Sequence, residues 1–75
     1  MRTTKHKPKE PIDIGKQIRK ARLNLDITQT DLADRCNVSP SHISQIEHNV
    51  KIPSMEMLYN IAKGLGCSVR LLNNE

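Results

Sequence analysis

An all-α fold is predicted by three features of this sequence. Five segments repeat apolar residues at helical spacing, and none alternates as a strand would. The segments open at or just after Asp13, Thr28, Ser39, Ser54 and Ser68, residue types whose side chains cap helix N-termini. Asp26, Asn37 and Asn49 follow the first three, where a left-handed C-terminal cap belongs, and Gly66 follows the fourth. Glycine is usual at such a cap, with Asn and Asp the next most tolerant residues. Three tight helix ends in succession predict short connections, and hence a compact five-helix bundle.

The first helix places Ile14, Ile18, Ala21 and Leu25 on one face, leaving Lys16, Arg19 and Lys20 toward water. The second opens at Thr28, with Asp31 favoured by the helix dipole, and carries Leu32, Ala33 and Cys36 as its apolar stripe. The third is capped by Ser39 and begins at Pro40, a position whose N–H has no intrahelical partner in any case. Its only apolar residues inside are Ile43 and Ile46, so one narrow stripe is buried and the rest of its surface is free. Pro53-Ser54 opens the fourth, with Met55, Leu58, Ile61, Ala62 and Leu65 at core spacing, and a last short helix carries Val69 and Leu72.

Composition narrows the function classes. The 75 residues contain no Trp or Phe, and Tyr59 is the single aromatic. A core that small and aliphatic leaves little room for a catalytic cleft. No nucleophile, base and orienting group can be assembled either, so no enzyme is expected. Cys36 and Cys67 lie far apart with no metal or C-x-x-C spacing, and read as reduced core residues rather than one long-range disulfide. Nothing completes a metal set around His6, His42 and His48, and no cofactor is expected. Met1 to Lys9 has no apolar run, so neither signal peptide nor membrane span is read there, and a cytoplasmic location is expected.

The net charge of +4 is unevenly placed. Arg2, Lys5, Lys7 and Lys9 precede Glu10, so most of it sits in the first ten residues and the remainder is close to neutral. Residues 1–11, with Pro8 and Pro11, read as a flexible basic arm that either meets phosphates or serves as a solubilising tail; residues 12–75 form the domain. Bulk charge alone does not identify a nucleic-acid binder here.

Spacing does. With Gln29 counted as position one, Ala33 falls at five, Asn37 at nine, Val38 at ten, Ile43 at fifteen and Ile46 at eighteen. Two helices that cross closely at a large angle need a small residue at the contact, a φ > 0 residue in the turn and apolar anchors on the second helix. That is a helix-turn-helix over residues 28–48.

The runs Ile14-Gly-Lys-Gln-Ile-Arg-Lys-Ala-Arg22, Ile27-Thr-Gln-Thr-Asp-Leu-Ala33 and Val38-Ser-Pro-Ser-His-Ile-Ser-Gln-Ile-Glu47, followed by Pro53-Ser54, resemble the Cro/C1-type (Xre) helix-turn-helix family of phage and bacterial regulators. The likeness runs from about residue 12 to residue 73. Asp26, Asn37 and Asn49 stand where the family commonly has Gly, and His48 where Asn or Arg is frequent. The resemblance implies a lambda-repressor-like domain whose recognition helix, about 39–48, enters the major groove of double-stranded DNA. It implies base contacts from Pro40, Ser41 and Gln45 on the outward face. His42 and Ser44 flank that face toward the phosphates, with Thr28 and Ser39 at the helix starts and His48, Asn49 and Lys51 just beyond the recognition helix. For Gln29 it implies a phosphate contact together with a hydrogen bond toward the start of the recognition helix. It also implies a partly buried Arg22–Glu47 ion pair fixing the first helix against the third.

Tyr59 and Leu71 fall off the core stripes and form a candidate apolar dimer patch, whose two-fold would match a palindromic operator. Repression is the expected role. A second class stays open, an antitoxin or interaction module that binds a partner protein and autoregulates its operon.

Overall fold

The computed structural model describes residues 13–72, without the side chains of residues 70 and 71. Five helical elements follow in chain order: α1 (Ile14–Asn24), α2 (Gln29–Cys36), α3 (Pro40–Glu47), α4 (Met55–Leu65) and α5 (Val69–Leu72). No strand occurs among the described residues. The fifth element is a single turn of four residues, so four helices of two turns or more carry the bundle.

Local chemistry explains the boundaries. The Asp13 carboxylate accepts the Lys16 N–H at 2.9 Å and starts α1. Thr28 and Asp31 form a reciprocal capping box at α2, the Asp31 N–H donating to Thr28 Oγ1 (3.0 Å) and the Thr28 N–H to Asp31 Oδ2 (2.9 Å). The Thr28 backbone N–H, followed by the Thr28 hydroxyl, holds the Asp31 carboxyl below its usual range. Ser39 and Ser54 cap α3 and α4 through the N–H groups of His42 and Met57. At the other ends Asp26, Asn37 and Asn49 all adopt φ near +60° (62°, 60° and 61°), and Gly66 reverses the chain at 71°.

The core joins all five elements: Ile18 from α1; Leu32, Ala33 and Cys36 from α2; Ile43 and Ile46 from α3; Leu58, Ile61, Ala62 and Leu65 from α4; and Leu72 from α5. α2 packs against both α3 and α4, α1 lies across α3, and α5 returns to α4 and α1. Ala33 is fully buried, and its carbonyl accepts the Val38 N–H at 3.0 Å, closing the turn between α2 and α3. Ile43 and Ile46 are essentially inaccessible. At roughly 1.5–3 kcal/mol for each buried side chain, they hold α3 by one edge.

Two expected core residues lie outside it. Leu25 is 45% exposed because α1 stops at Asn24 and the chain turns away there. Met55, the first residue of α4, is 69% exposed, the burial of that helix beginning only at later residues such as Leu58. Cys36 is buried, Cys67 half-buried, and both are free thiols whose pKa burial pushes up. Residues 1–11, read as a basic arm, lie outside the described residues, as does the side chain of Leu71 from the expected dimer patch.

Candidate nucleic-acid interface

Burying Ile43 and Ile46 turns the opposite face of α3 outward. Pro40 and Ser41 are exposed there, and Gln45, His42 and Ser44 half-exposed. Among the described residues no hydrogen bond engages the side chain of Ser41 or Gln45, although the Gln45 carbonyl accepts the N–H groups of both Val50 (2.8 Å) and Lys51 (3.1 Å). The amide of Gln45 is therefore free while its backbone anchors the chain leaving α3. His48 is exposed, with Nδ1 2.8 Å from the Ser44 carbonyl, which fixes the ring against the helix end. Lys51 is exposed just beyond it.

The capping box at α2 consumes the Thr28 and Asp31 N–H groups. The backbone N–H groups of Gln29 and Thr30 are left without intrahelical partners at the positive end of the helix dipole, the arrangement that favours an anion.

Behind this face lies a buried polar cluster. Arg22 and Glu47 pair in a bidentate geometry, Nε to Oε2 at 2.7 Å and Nη2 to Oε1 at 3.0 Å. The side chain of Glu47 has no solvent exposure and that of Arg22 only 8%. Arg22 Nη1 also donates to the Ile27 carbonyl (2.9 Å), and Gln29 Nε2 donates to Glu47 Oε1 (3.0 Å). One carboxylate at the last residue of α3 thus ties the end of α1 to the start of α2, and Arg22 extends the cluster to the α1–α2 loop. Every charged group here has a directed partner, the condition under which a buried pair fixes one arrangement. Gln29 bonds to the end of α3, not toward its start as expected. Its amide nitrogen spends one of its two N–H groups on Glu47.

Two residues contribute contacts at the end of α3 that were not assigned from the sequence. Gly15 packs against the C-terminal end of α3 so closely that a Cβ there would stand 2.5 Å from the Ile46 carbonyl oxygen and 2.6 Å from that of Glu47. Asp13, beyond capping α1, accepts a 2.8 Å hydrogen bond from Asn49 Nδ2. That bond, followed by the Lys16 N–H, holds the Asp13 carboxyl below its ordinary value. The signal for Gly15 was a glycine near a helix start, since glycine in a helix costs about 1 kcal/mol against alanine and usually has a packing reason.

Among the described residues no three His, Cys, Asp or Glu side chains are grouped to hold a metal, and no helix is long and apolar enough to cross a membrane.

A family model described as helix-turn-helix matches residues 18–72. The chain belongs to the Cro/C1-type helix-turn-helix family. Within this family, the P22 c2 repressor protein, solved in complex with synthetic operator 9T, is 37% identical. That match covers 79% of this chain and 89% of that one, with a TM-score of 0.73. The clp gene regulator ClgR from C. glutamicum superimposes with a TM-score of 0.79 at 30% identity, over 88% of this chain and 86% of its own. The endothelial differentiation-related factor 1 homolog of Danio rerio is 33% identical over 60 residues, covering 80% of this chain and 41% of that protein. The chain thus spans about two-fifths of the length of the curated relatives it matches. Family and fold are those of DNA-binding transcription regulators.

Proposed function

We propose that this chain binds double-stranded DNA sequence-specifically as a small cytoplasmic transcriptional repressor, with α3 in the major groove. The observation that carries this reading is the unengaged outer face of α3 above a helix whose inner edge is fixed by Ile43, Ile46 and the buried Arg22–Glu47 pair. A reading head needs side chains free to bond bases on a frame that does not tilt.

Each residue has a chemical role in this proposal. The Gln45 amide matches the N6 and N7 edge of adenine, Ser41 donates or accepts, and Pro40 packs on a thymine methyl. Phosphates are met on one side by Thr28 and the Gln29 and Thr30 N–H groups, and on the other by His48 and Lys51, with Asn49 turning the chain between them. Ser39, His42 and Ser44 line the rim. Two copies sit on a palindromic operator, their recognition helices about 34–36 Å apart along the duplex. Tyr59, 63% exposed, lies in the surface available to the second copy.

Selection from random duplexes, followed by binding across a range of salt concentrations, tests this. The expected outcome is an enriched palindrome. Gln45→Ala loses roughly 1–3 kcal/mol of discrimination at one base position of each half-site, whereas Lys51→Ala weakens all sequences alike and lowers the salt slope by about 1. No enrichment, or an unchanged slope for Lys51→Ala, overturns the proposed contacts. A protein-binding role with autoregulation of an operon is the second reading. It is favoured by the apolar side chains of Val50, Ile52, Met55 and Tyr59, all more than 60% exposed.

A further inference from the structure

Asn49 was expected to contact phosphate directly, and its side chain has partners within the protein. Nδ2 donates to Asp13 at 2.8 Å, and Oδ1 faces Gly15 so closely that a Cβ on that glycine would come within 2.7 Å of it. The residue is clasped between the first turn of α1 and the end of α3. Its backbone is specialised too, with φ at 61° and its N–H bonded to the Ile46 carbonyl at 3.1 Å.

The surroundings explain why a clasp forms here. The positive N-terminal end of α1 abuts the negative C-terminal end of α3, an attractive pairing of helix dipoles. Asp13 Oδ1 serves both ends, accepting the Lys16 N–H of α1 and the Asn49 amide from beyond α3. The next two residues, Val50 and Lys51, fold back onto the Gln45 carbonyl. The direction of Lys51 is therefore set by a turn whose pivot is Asn49 and whose outer tether is Asp13.

We infer that Asp13 and Asn49 are positioning residues for DNA binding: they latch the exit of the recognition helix to the cap of α1 and so aim Lys51 at the phosphate backbone. This rests on the DNA-binding reading above. It carries an unusual sign. Asp13 is an anion close to the proposed phosphate contacts, and removing an anion ordinarily tightens DNA binding. If the latch positions Lys51, removing Asp13 weakens it instead.

The test compares the full-length parent with Asp13→Ser, Asn49→Gly and the double variant. Serine caps a helix about as well as aspartate but is too short to hold Asn49, and glycine keeps the positive φ while dropping the side chain. On the duplex enriched from random sequences, each single variant is expected to lose roughly threefold to tenfold in affinity, the scale of one typical net hydrogen bond. The double variant should lose no more than either single one, as members of one linkage do. In the free protein, the Val50 and Lys51 amides should exchange hydrogen faster in both single variants while the core amides keep the parent rate. Equal or tighter binding by Asp13→Ser, or additive losses in the double variant, overturns the latch and returns Asn49 to a direct contact. A parent that binds no duplex overturns the DNA-binding reading instead, and the exchange rates of Val50 and Lys51 then still decide whether the latch holds the turn.

Discussion

Glu47→Ala is expected to lower the unfolding free energy by roughly 3–5 kcal/mol, the usual cost of breaking a buried ion pair from one side. The substitution does more than remove one contact. Arg22 would keep only its bond to the Ile27 carbonyl, leaving a guanidinium with 8% side-chain exposure and no counter-charge, while the amide of Gln29 loses its acceptor. For a domain whose whole stability is of the order of 5–15 kcal/mol, that is a large fraction. Urea unfolding at neutral pH measures it directly, and an unshifted midpoint would show that the pair contributes nothing.

The same carboxylate gives a pH signature with a definite sign. Burial pushes the Glu47 carboxyl up and is the largest single influence. Hydrogen bonds from Arg22 and Gln29, with the Arg22 charge, together outweigh it and leave the group below its ordinary value of 4.5. A carboxyl depressed in the folded state binds its proton more readily when unfolded. Its stabilising contribution is therefore complete above the ordinary value and is lost as pH falls through the depressed one. The parent should lose stability in that acid window, and Glu47→Ala should lose less, since Asp13 and Asp31 supply the same trend in both proteins.

Gly15→Ala should destabilise the protein by about 1–3 kcal/mol, although alanine is the better helix former by roughly 1 kcal/mol. The added methyl would stand 2.5–2.7 Å from three oxygen atoms, two of them backbone carbonyls at the end of α3. A flexible side chain could swing aside, but these carbonyls belong to the last turn of the recognition helix. Relief therefore requires α1 and α3 to separate. Thermal unfolding reports the energy, and amide chemical shifts from Ile46 to Asn49 report the displacement. A variant as stable as the parent, with unmoved shifts in that stretch, would show that the contact is softer than the structure indicates.

Much of the frame was legible because it is written in local chemistry. A cap, a turn residue and an apolar period each act over a few residues. Asp26, Asn37 and Asn49 could thus be assigned positive φ, and Ile43 and Ile46 could be placed inward, without any partner in view. Leu25 and Met55 show where that reasoning stops. Periodicity extends a helical face to the very ends of a helix, where Leu25 and Met55 stand, and does not say that packing reaches so far. Gln29 shows the same limit for polar groups. Its place near a helix start was correct, yet the choice between the two ends of α3 as its partner depends on the crossing of α1, α2 and α3, a long-range matter.

The helices and the turn of the helix-turn-helix follow from local sequence, because helix ends and φ > 0 positions depend on residues within a turn of one another. So does the side of α3 that is buried, through Ile43 and Ile46. How that helix is held is a matter of long-range packing. Gly15 and Asp13 are 31 and 36 residues from the parts of the chain they meet at Ile46 and Asn49, and Arg22 is 25 from Glu47. Contacts at such separations are set by the angle at which helices pack, and no local preference encodes that angle.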